Sequence, residues 1–203
     1  PLAYRLNQDH VELIKRKEAN SVALLPGSRN SEISFLANEM IRAAKELKRK
    51  DNSYQFYMPL SRKSHLDLID EPMEDFIKIS FNNSQEILSK CEMGIITSGT
   101  ATLEAILLRT PCVTLYKTGW LTYRIVKPLL SIDNFSLPNL LAGRELLPEL
   151  LQGDVSSENI ISSLDEITLN GLDHYYKNFH IIHEHLKAGS SKTAAKEISN
   201  LIN

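Results

Sequence analysis

Ser21-Val22-Ala23-Leu24-Leu25-Pro26-Gly27-Ser28-Arg29 decides the reading of this chain. Its first five residues form a short apolar run with branched content, and Pro26-Gly27 stops it. That is the pattern of a buried strand followed by a turn. Beyond the turn, Asn30 or Ser31 can cap a helix whose apolar positions Ile33, Leu36, Met40, Ala44 and Leu47 recur at three and four, and Lys45, Lys48, Arg49 and Lys50 suit its negative C-terminal end. The alternation repeats outward. Strands are predicted over residues 54–58, 77–80, 93–97 and 112–116, with a helix or irregular crossover over 64–76 and helices over 84–90 and 100–108. Five strands alternating with helices require crossover connections, which produce a mainly parallel sheet covered on both faces. The predicted fold class is α/β, doubly wound, with additional C-terminal helices.

After Tyr116 the rhythm changes. Residues 120–130 read as a helix carrying Pro128. Residues 133–143 read as a polar, Pro-containing loop of a length that is commonly functional or shaped by a partner. Helices are expected over 157–164, then, after a break at Asn170-Gly171, over 173–187 and 192–202. The expected division is an N-terminal connecting remnant at 1–20, a ligand-binding domain at 21–172 and C-terminal helices at 173–203. Pro1-Leu2-Ala3-Tyr4-Arg5-Leu6 has neither an initiating Met nor a signal-peptide pattern, and reads as the start of a fragment.

The 203 residues are 42% hydrophobic, enough for a sizeable core, and carry 23 Lys and Arg against 25 Asp and Glu. That balance gives no footprint for nucleic acid. Cys91 and Cys112 sit in or beside apolar runs and read as small buried thiols. No stretch reaches the roughly 18 to 20 apolar residues of a membrane-spanning helix. His180, His183 and His185 share a predicted helix, but their spacing and the lack of companion ligands argue for a solvated or interface helix rather than a metal site.

In a parallel sheet, ligands bind at the carboxyl ends of strands, so the turns that follow the strands carry the chemistry. The first such turn places Gly27, Ser28 and Arg29 at a helix start, where free amides, helix dipole and a guanidinium fork suit a phosphate; a plain Pro-Gly turn with a solvated Arg fits the same residues. It lacks the Lys of a P-loop and is not the dinucleotide fingerprint. The second turn, Thr97-Ser98-Gly99-Thr100-Ala101-Thr102-Leu103-Glu104, is richer. Gly99 admits a ligand close to the backbone, Ser98 and Thr100 offer hydroxyls, and the helix start offers amides for a diphosphate. Glu104 lies one helical turn beyond Thr100 on the same face, where a carboxylate can accept from two vicinal ribose hydroxyls. Together these features describe a nucleotide site; the competing reading is a Ser/Thr cap on a core helix. The third turn, Tyr116-Lys117-Thr118-Gly119-Trp120 running to Arg124 and Lys127, mixes aromatics and cations as a membrane-facing surface does. An amphipathic core helix would look the same.

Three strings in this order resemble the lipid-A-disaccharide synthase family: Leu24-Leu25-Pro26-Gly27-Ser28-Arg29-Asn30-Ser31-Glu32, the second turn above, and Ser136-Leu137-Pro138-Asn139-Leu140-Leu141-Ala142-Gly143. The resemblance covers residues 21–152, and the third string is its most specific part. It implies one Rossmann-like half of a two-domain GT-B glycosyltransferase, the half that binds UDP-sugar. The implied reaction moves 2,3-diacylglucosamine from UDP to the 6-hydroxyl of 2,3-diacylglucosamine 1-phosphate with inversion, with no metal or cofactor.

Carried onto this chain, the resemblance assigns the diphosphate to Arg29 and the backbone around Gly99, Thr100 and Ala101, with Gly27, Ser28 and Ser98 beside them. It assigns the ribose to Glu104 and the uracil to the backbone near Phe81, and adds Lys117 and Asn139 as substrate-binding residues. It places the general base in an N-terminal half that this chain lacks, so the chain alone is expected to catalyse nothing. It implies a homodimer with exchanged C-terminal segments, in which Asn139 can serve the partner's site. It further implies peripheral attachment to the cytoplasmic face of the inner membrane through an anionic lipid surface. A UDP-N-acetylglucosamine 2-epimerase, a peptidoglycan glycosyltransferase and a non-catalytic nucleotide-binding module are the rival readings.

Overall fold

The computed structural model describes Leu6 and residues 9–119 and 134–202, with the backbone alone over 188–202. A short helix, α1 (His10–Lys15), opens it, capped by the Asp9 carboxylate, which accepts the amides of Val11 and Glu12. Then come β1 (Glu18–Leu25), α2 (Asn30–Lys50), β2 (Gln55–Leu60), a 3-10 turn at Lys63–Leu68, β3 (Ile77–Phe81), α3 (Ser84–Lys90), β4 (Cys91–Thr97), α4 (Thr100–Leu107) and β5 (Cys112–Tyr116). Past residues 120–133, which include the expected Pro128 helix and lie outside the described residues, follow α5 (Leu137–Ala142), β6 (Glu149–Leu151), α6 (Ser157–Asn170) and α7 (Leu172–Ile202).

The strands form one six-stranded sheet in the order β3-β2-β1-β4-β5-β6, with every pairing parallel. Right-handed crossovers dictate the layers. The chain moves from β1 toward one edge through α2 and later, after β4, toward the other edge through α4, so α2 and α4 cover opposite faces. Contacts agree: α2 touches α6, while α4 touches α3, α5 and α7. Ile33, Leu36, Met40 and Ile41 of α2 are wholly buried, as are Val22, Ala23 and Leu24 of β1 and Ile95 and Ile96 of β4. The periodicity that marked α2 in the sequence is the stripe it turns to the sheet. Tyr175, Phe179 and Ile182 of α7 join the same core.

Four differences from the sequence reading have local causes. A sixth strand, β6, escapes notice because it is three residues long, yet it pairs with β5 through Thr114↔Glu149, Leu115↔Leu150 and Tyr116↔Leu151. The loop expected over 133–143 contains α5, which Pro138 starts and Gly143 ends at φ 65°. Residues 172–202 form one helix rather than two. The N-cap of α2 is Arg29, not Asn30 or Ser31, because Glu32 reaches back to take its amide.

Cys91 and Cys112 are buried and unpaired, and burial pushes both thiols up to about 12. At the end of α4, Arg109 lies inside the protein at φ 60°. Its guanidinium donates to the carbonyls of Ile106 and Leu107 and to His10 Nδ1 at 2.8 Å, and sits 3.2 Å from His183 Nδ1. His10 stacks on His180 with ring centroids 4.8 Å apart. Two of the three clustered histidines thus tie α7 to α1 and α4.

Candidate functional site: a cleft at the switch point of the sheet

The strand order reverses between β1 and β4, the place where an open α/β sheet leaves a crevice outside its carboxyl ends. A cleft of about 560 Å³ opens there. The first turn contributes Gly27, Ser28 and Arg29, and the second contributes Thr97, Ser98, Gly99, Thr100, Ala101 and Glu104. Eight residues proposed from two turns about 70 positions apart in sequence are thereby brought onto one cavity.

The two turns are built differently. In the first, Glu32 folds back under the loop: its Oε2 accepts the amides of Ser28 at 2.9 Å and Arg29 at 3.0 Å, and its Oε1 accepts from the Arg29 guanidinium at 3.1 Å. Gly27 makes room for this. It stands at φ 107°, and a Cβ there would lie 2.3 Å from Glu32 Oε2. Two of the amides that the sequence offered to a phosphate at this turn, those of Ser28 and Arg29, are therefore occupied by a carboxylate of the protein itself.

At the second turn nothing fills that role. The Ser98 amide donates to Leu115 O, and both the amide and the hydroxyl of Thr102 turn to Gly99 O. The amides of Gly99, Thr100 and Ala101 find no acceptor among the described residues, and α4 has no side-chain cap. An added Cβ at Gly99 would meet nothing within 4 Å among the described residues, because the space before it is the cleft. Glu104 lines the same cavity one turn further along, and its carboxylate has no ion pair or side-chain hydrogen bond among the described residues.

The charges decide how an anion could bind. Among the described residues, the lining side chains hold one cation, Arg29, against two carboxylates, Glu32 and Glu104. The net charge of those side chains does not attract a phosphate. Free amides and the helix dipole of α4 can, because they act at contact distance. The Lys17 ammonium, which donates to Leu88 O and Thr110 Oγ1, is lowered to about 7 by burial, and Arg109 to about 10 for the same reason.

Three proposed residues do not line the cleft. Asn139 is buried and saturated: its Oδ1 accepts the amides of Leu146 and Leu147 at 2.8 Å, and its Nδ2 donates to Leu147 O and Glu149 Oε1. Glu149 in turn accepts the amides of Phe135 and Ser136. Through these bonds the string that most marked the resemblance holds α5 to β6, outside the cleft. Phe81 ends β3 packed against the core, while its successor Asn82, at φ 56°, and Ser84 line the cleft. Lys117 follows β5 outside the cavity. Of the third turn, Thr118 is clamped by Gln152 through its amide and carbonyl, and its residues from Trp120 onward, with Arg124 and Lys127, lie outside the described residues.

Sequence reasoning missed Glu32, Thr97, Ser61 and Asn82 as lining residues. Glu32 carried a signal, being three residues after the N-cap, where a capping carboxylate belongs. Thr97 lies 94% inside the protein, with a hydroxyl that has no partner among the described residues.

A family model described as lipid-A-disaccharide synthetase matches residues 4–202. The chain belongs to that family. Among curated lipid-A-disaccharide synthases, that of Idiomarina loihiensis is 30% identical over 207 residues, covering 100% of this chain and 55% of its own. That of Pseudomonas putida is 35% identical over 188 residues, covering 91% of this chain and 50% of its own. The chain spans about half the length of the lipid-A-disaccharide synthases it matches. Among solved structures, a spinosyn rhamnosyltransferase superposes with a TM-score of 0.61 at 18% identity, over 93% of this chain and 46% of that one. The likeness shows the same fold in a family member and an enzyme of different sequence.

Proposed function

We propose that this chain is the UDP-sugar-binding half of an inverting glycosyltransferase. The reaction is transfer of 2,3-diacylglucosamine from UDP to 2,3-diacylglucosamine 1-phosphate, giving lipid A disaccharide 1-phosphate and UDP. The observation that carries the proposal is the row of unoccupied amides at Gly99, Thr100 and Ala101, facing the cleft at the switch point. The diphosphate sits on those amides with Arg29 reaching it from the opposite turn. Glu104, one turn on, accepts from the ribose hydroxyls. Negative charge grows on the departing UDP as the sugar–oxygen bond breaks, and fixed donors that bind it more strongly in the transition state lower the barrier.

The acceptor hydroxyl attacks the anomeric carbon from the face opposite UDP and loses its proton to a base. Of the two carboxylates in the cleft, Glu32 is engaged with the first turn and Glu104 is assigned to the ribose. The proposal places the base in the half of the relatives that this chain does not span. It assigns donor binding to residues 21–172. It extends to a homodimer and to attachment at the cytoplasmic face of the inner membrane. Leu137, Leu140 and Leu141, exposed side by side on α5, offer an apolar surface for such contacts, and no helix among the described residues is long and apolar enough to cross a membrane.

Calorimetric titration with UDP, with ATP and NAD as controls, tests the donor site. Saturable UDP-selective binding is expected, and Arg29→Ala and Glu104→Ala should each weaken it by about 1 to 3 kcal/mol through lost charged hydrogen bonds. Unchanged affinity in both variants removes the site. Transfer should be absent from the chain alone and restored by a separately made N-terminal half.

A further inference from the structure

We infer that Glu32 is a positioning residue for the donor diphosphate, acting as a built-in anion that shapes the first turn and presents Arg29 to the cleft. The inference rests on the donor-site reading above and deepens it. A strand–turn–helix at the switch point offers two amide-bearing turns, one after β1 and one after β4, and a diphosphate could settle on either. Here two amides of the first, those of Ser28 and Arg29, are already taken. One carboxylate oxygen of Glu32 takes the amides of Ser28 and Arg29, and the other takes the Arg29 guanidinium.

The side chain of Glu32 is mostly covered, 18% exposed, whereas that of Arg29 is 80% exposed and lines the cavity. Glu32 therefore works from beneath the loop and Arg29 from its surface. Gly27 accommodates the arrangement, since any side chain there would collide with the Glu32 carboxylate. Two consequences follow for the ligand. The diphosphate is directed to the second turn, where three consecutive cleft-lining residues, Gly99, Thr100 and Ala101, keep their amides free of acceptors among the described residues. The Arg29 side chain, tethered at its base by its own amide and at one guanidinium nitrogen by Glu32, keeps its remaining donors available and loses less freedom when it closes on the phosphate. Glu32 touches no substrate in this account.

The test uses the purified chain with Glu32→Ala and Glu32→Gln, read by UDP and uridine affinity and by amide hydrogen exchange at Ser28 and Arg29. The glutamine carbonyl keeps an acceptor for the two amides, so it should rescue most of what alanine loses. Glu32→Ala should weaken UDP by about tenfold or more while leaving uridine within about twofold, since the deficit concerns the phosphates. The Ser28 and Arg29 amides should be protected in the parent and in Glu32→Gln and exposed in Glu32→Ala. Equal losses for UDP and uridine, no rescue by glutamine, or unprotected amides in the parent would each overturn the role of Glu32. If the folded parent binds no UDP at all, the donor-site reading falls and this role with it; UDP binding that Glu32→Ala leaves untouched removes this role alone.

Discussion

Gly27 and Gly99 stand at equivalent places in the two turns of the cleft, yet alanine at each should do opposite things. At Gly27 the backbone sits at φ 107°, and the new methyl would fall 2.3 Å from Glu32 Oε2 and 2.8 Å from Glu32 Cβ. The backbone strain costs about 1–3 kcal/mol. Driving the carboxylate out also forfeits charged hydrogen bonds to Ser28 and Arg29, worth about 1.5–3 kcal/mol each when sheltered and less here, where water can replace them. A total near 2–5 kcal/mol is expected, read as a lower midpoint in urea denaturation followed by circular dichroism. At Gly99 the backbone is extended, a conformation open to any residue, and a methyl meets no atom within 4 Å among the described residues. Stability should be unchanged, while UDP affinity falls by about 1–3 kcal/mol, because the methyl occupies the space of a ligand packed on that backbone. A Gly99→Ala variant that binds UDP as well as the parent would mean that no ligand packs on that backbone, and a Gly27→Ala variant as stable as the parent would mean that Glu32 does not hold the first turn.

Asn139→Ala should destabilise the chain by about 2–4 kcal/mol and leave UDP affinity of the folded fraction unaltered, as chemical denaturation and calorimetry would show, because four hydrogen bonds, three of them buried, lose their partner. Arg109→Met should cost about 2–4 kcal/mol by the same denaturation assay, since the carbonyls of Ile106 and Leu107 lose a buried donor. His10 is held below its usual range by burial and then by Arg109, and His65 by burial and then by Arg62. The folded state thus binds fewer protons than the unfolded one just below the ordinary histidine range, so thermal stability should decline as pH falls from about 7 toward 5. A flat midpoint across that window would contradict the assignment. Cys91 and Cys112, buried and pushed up to about 12, should resist a thiol reagent at neutral pH until the chain is unfolded.

The sheet was legible because its central strands carry their own signals. The apolar run before Pro26-Gly27 and the Met93-to-Thr97 run before Ser98-Gly99 both end where a parallel strand must hand over to a helix, and both lie at the switch point. β6 gave no such signal: three residues at an edge need no long apolar run, and its place is set by pairing with β5 and by the Asn139 and Glu149 network. Of the cleft, the residues at strand ends could be named because position and residue type coincide there. What the sequence could not show is which polar groups are already spent. Glu32 takes the amides of Ser28 and Arg29, and the Asn139 carboxamide takes those of Leu146 and Leu147. Both turn on the pairing of side chains with backbone groups that folding alone brings together.

The most direct test is a crystal structure of the chain with UDP bound. The account predicts diphosphate oxygens about 3 Å from the amides of Gly99, Thr100 and Ala101, the ribose on Glu104, and Glu32 still in the amides of Ser28 and Arg29. A diphosphate seated on the first turn with Glu32 displaced, or a nucleotide bound outside this cleft, would contradict it.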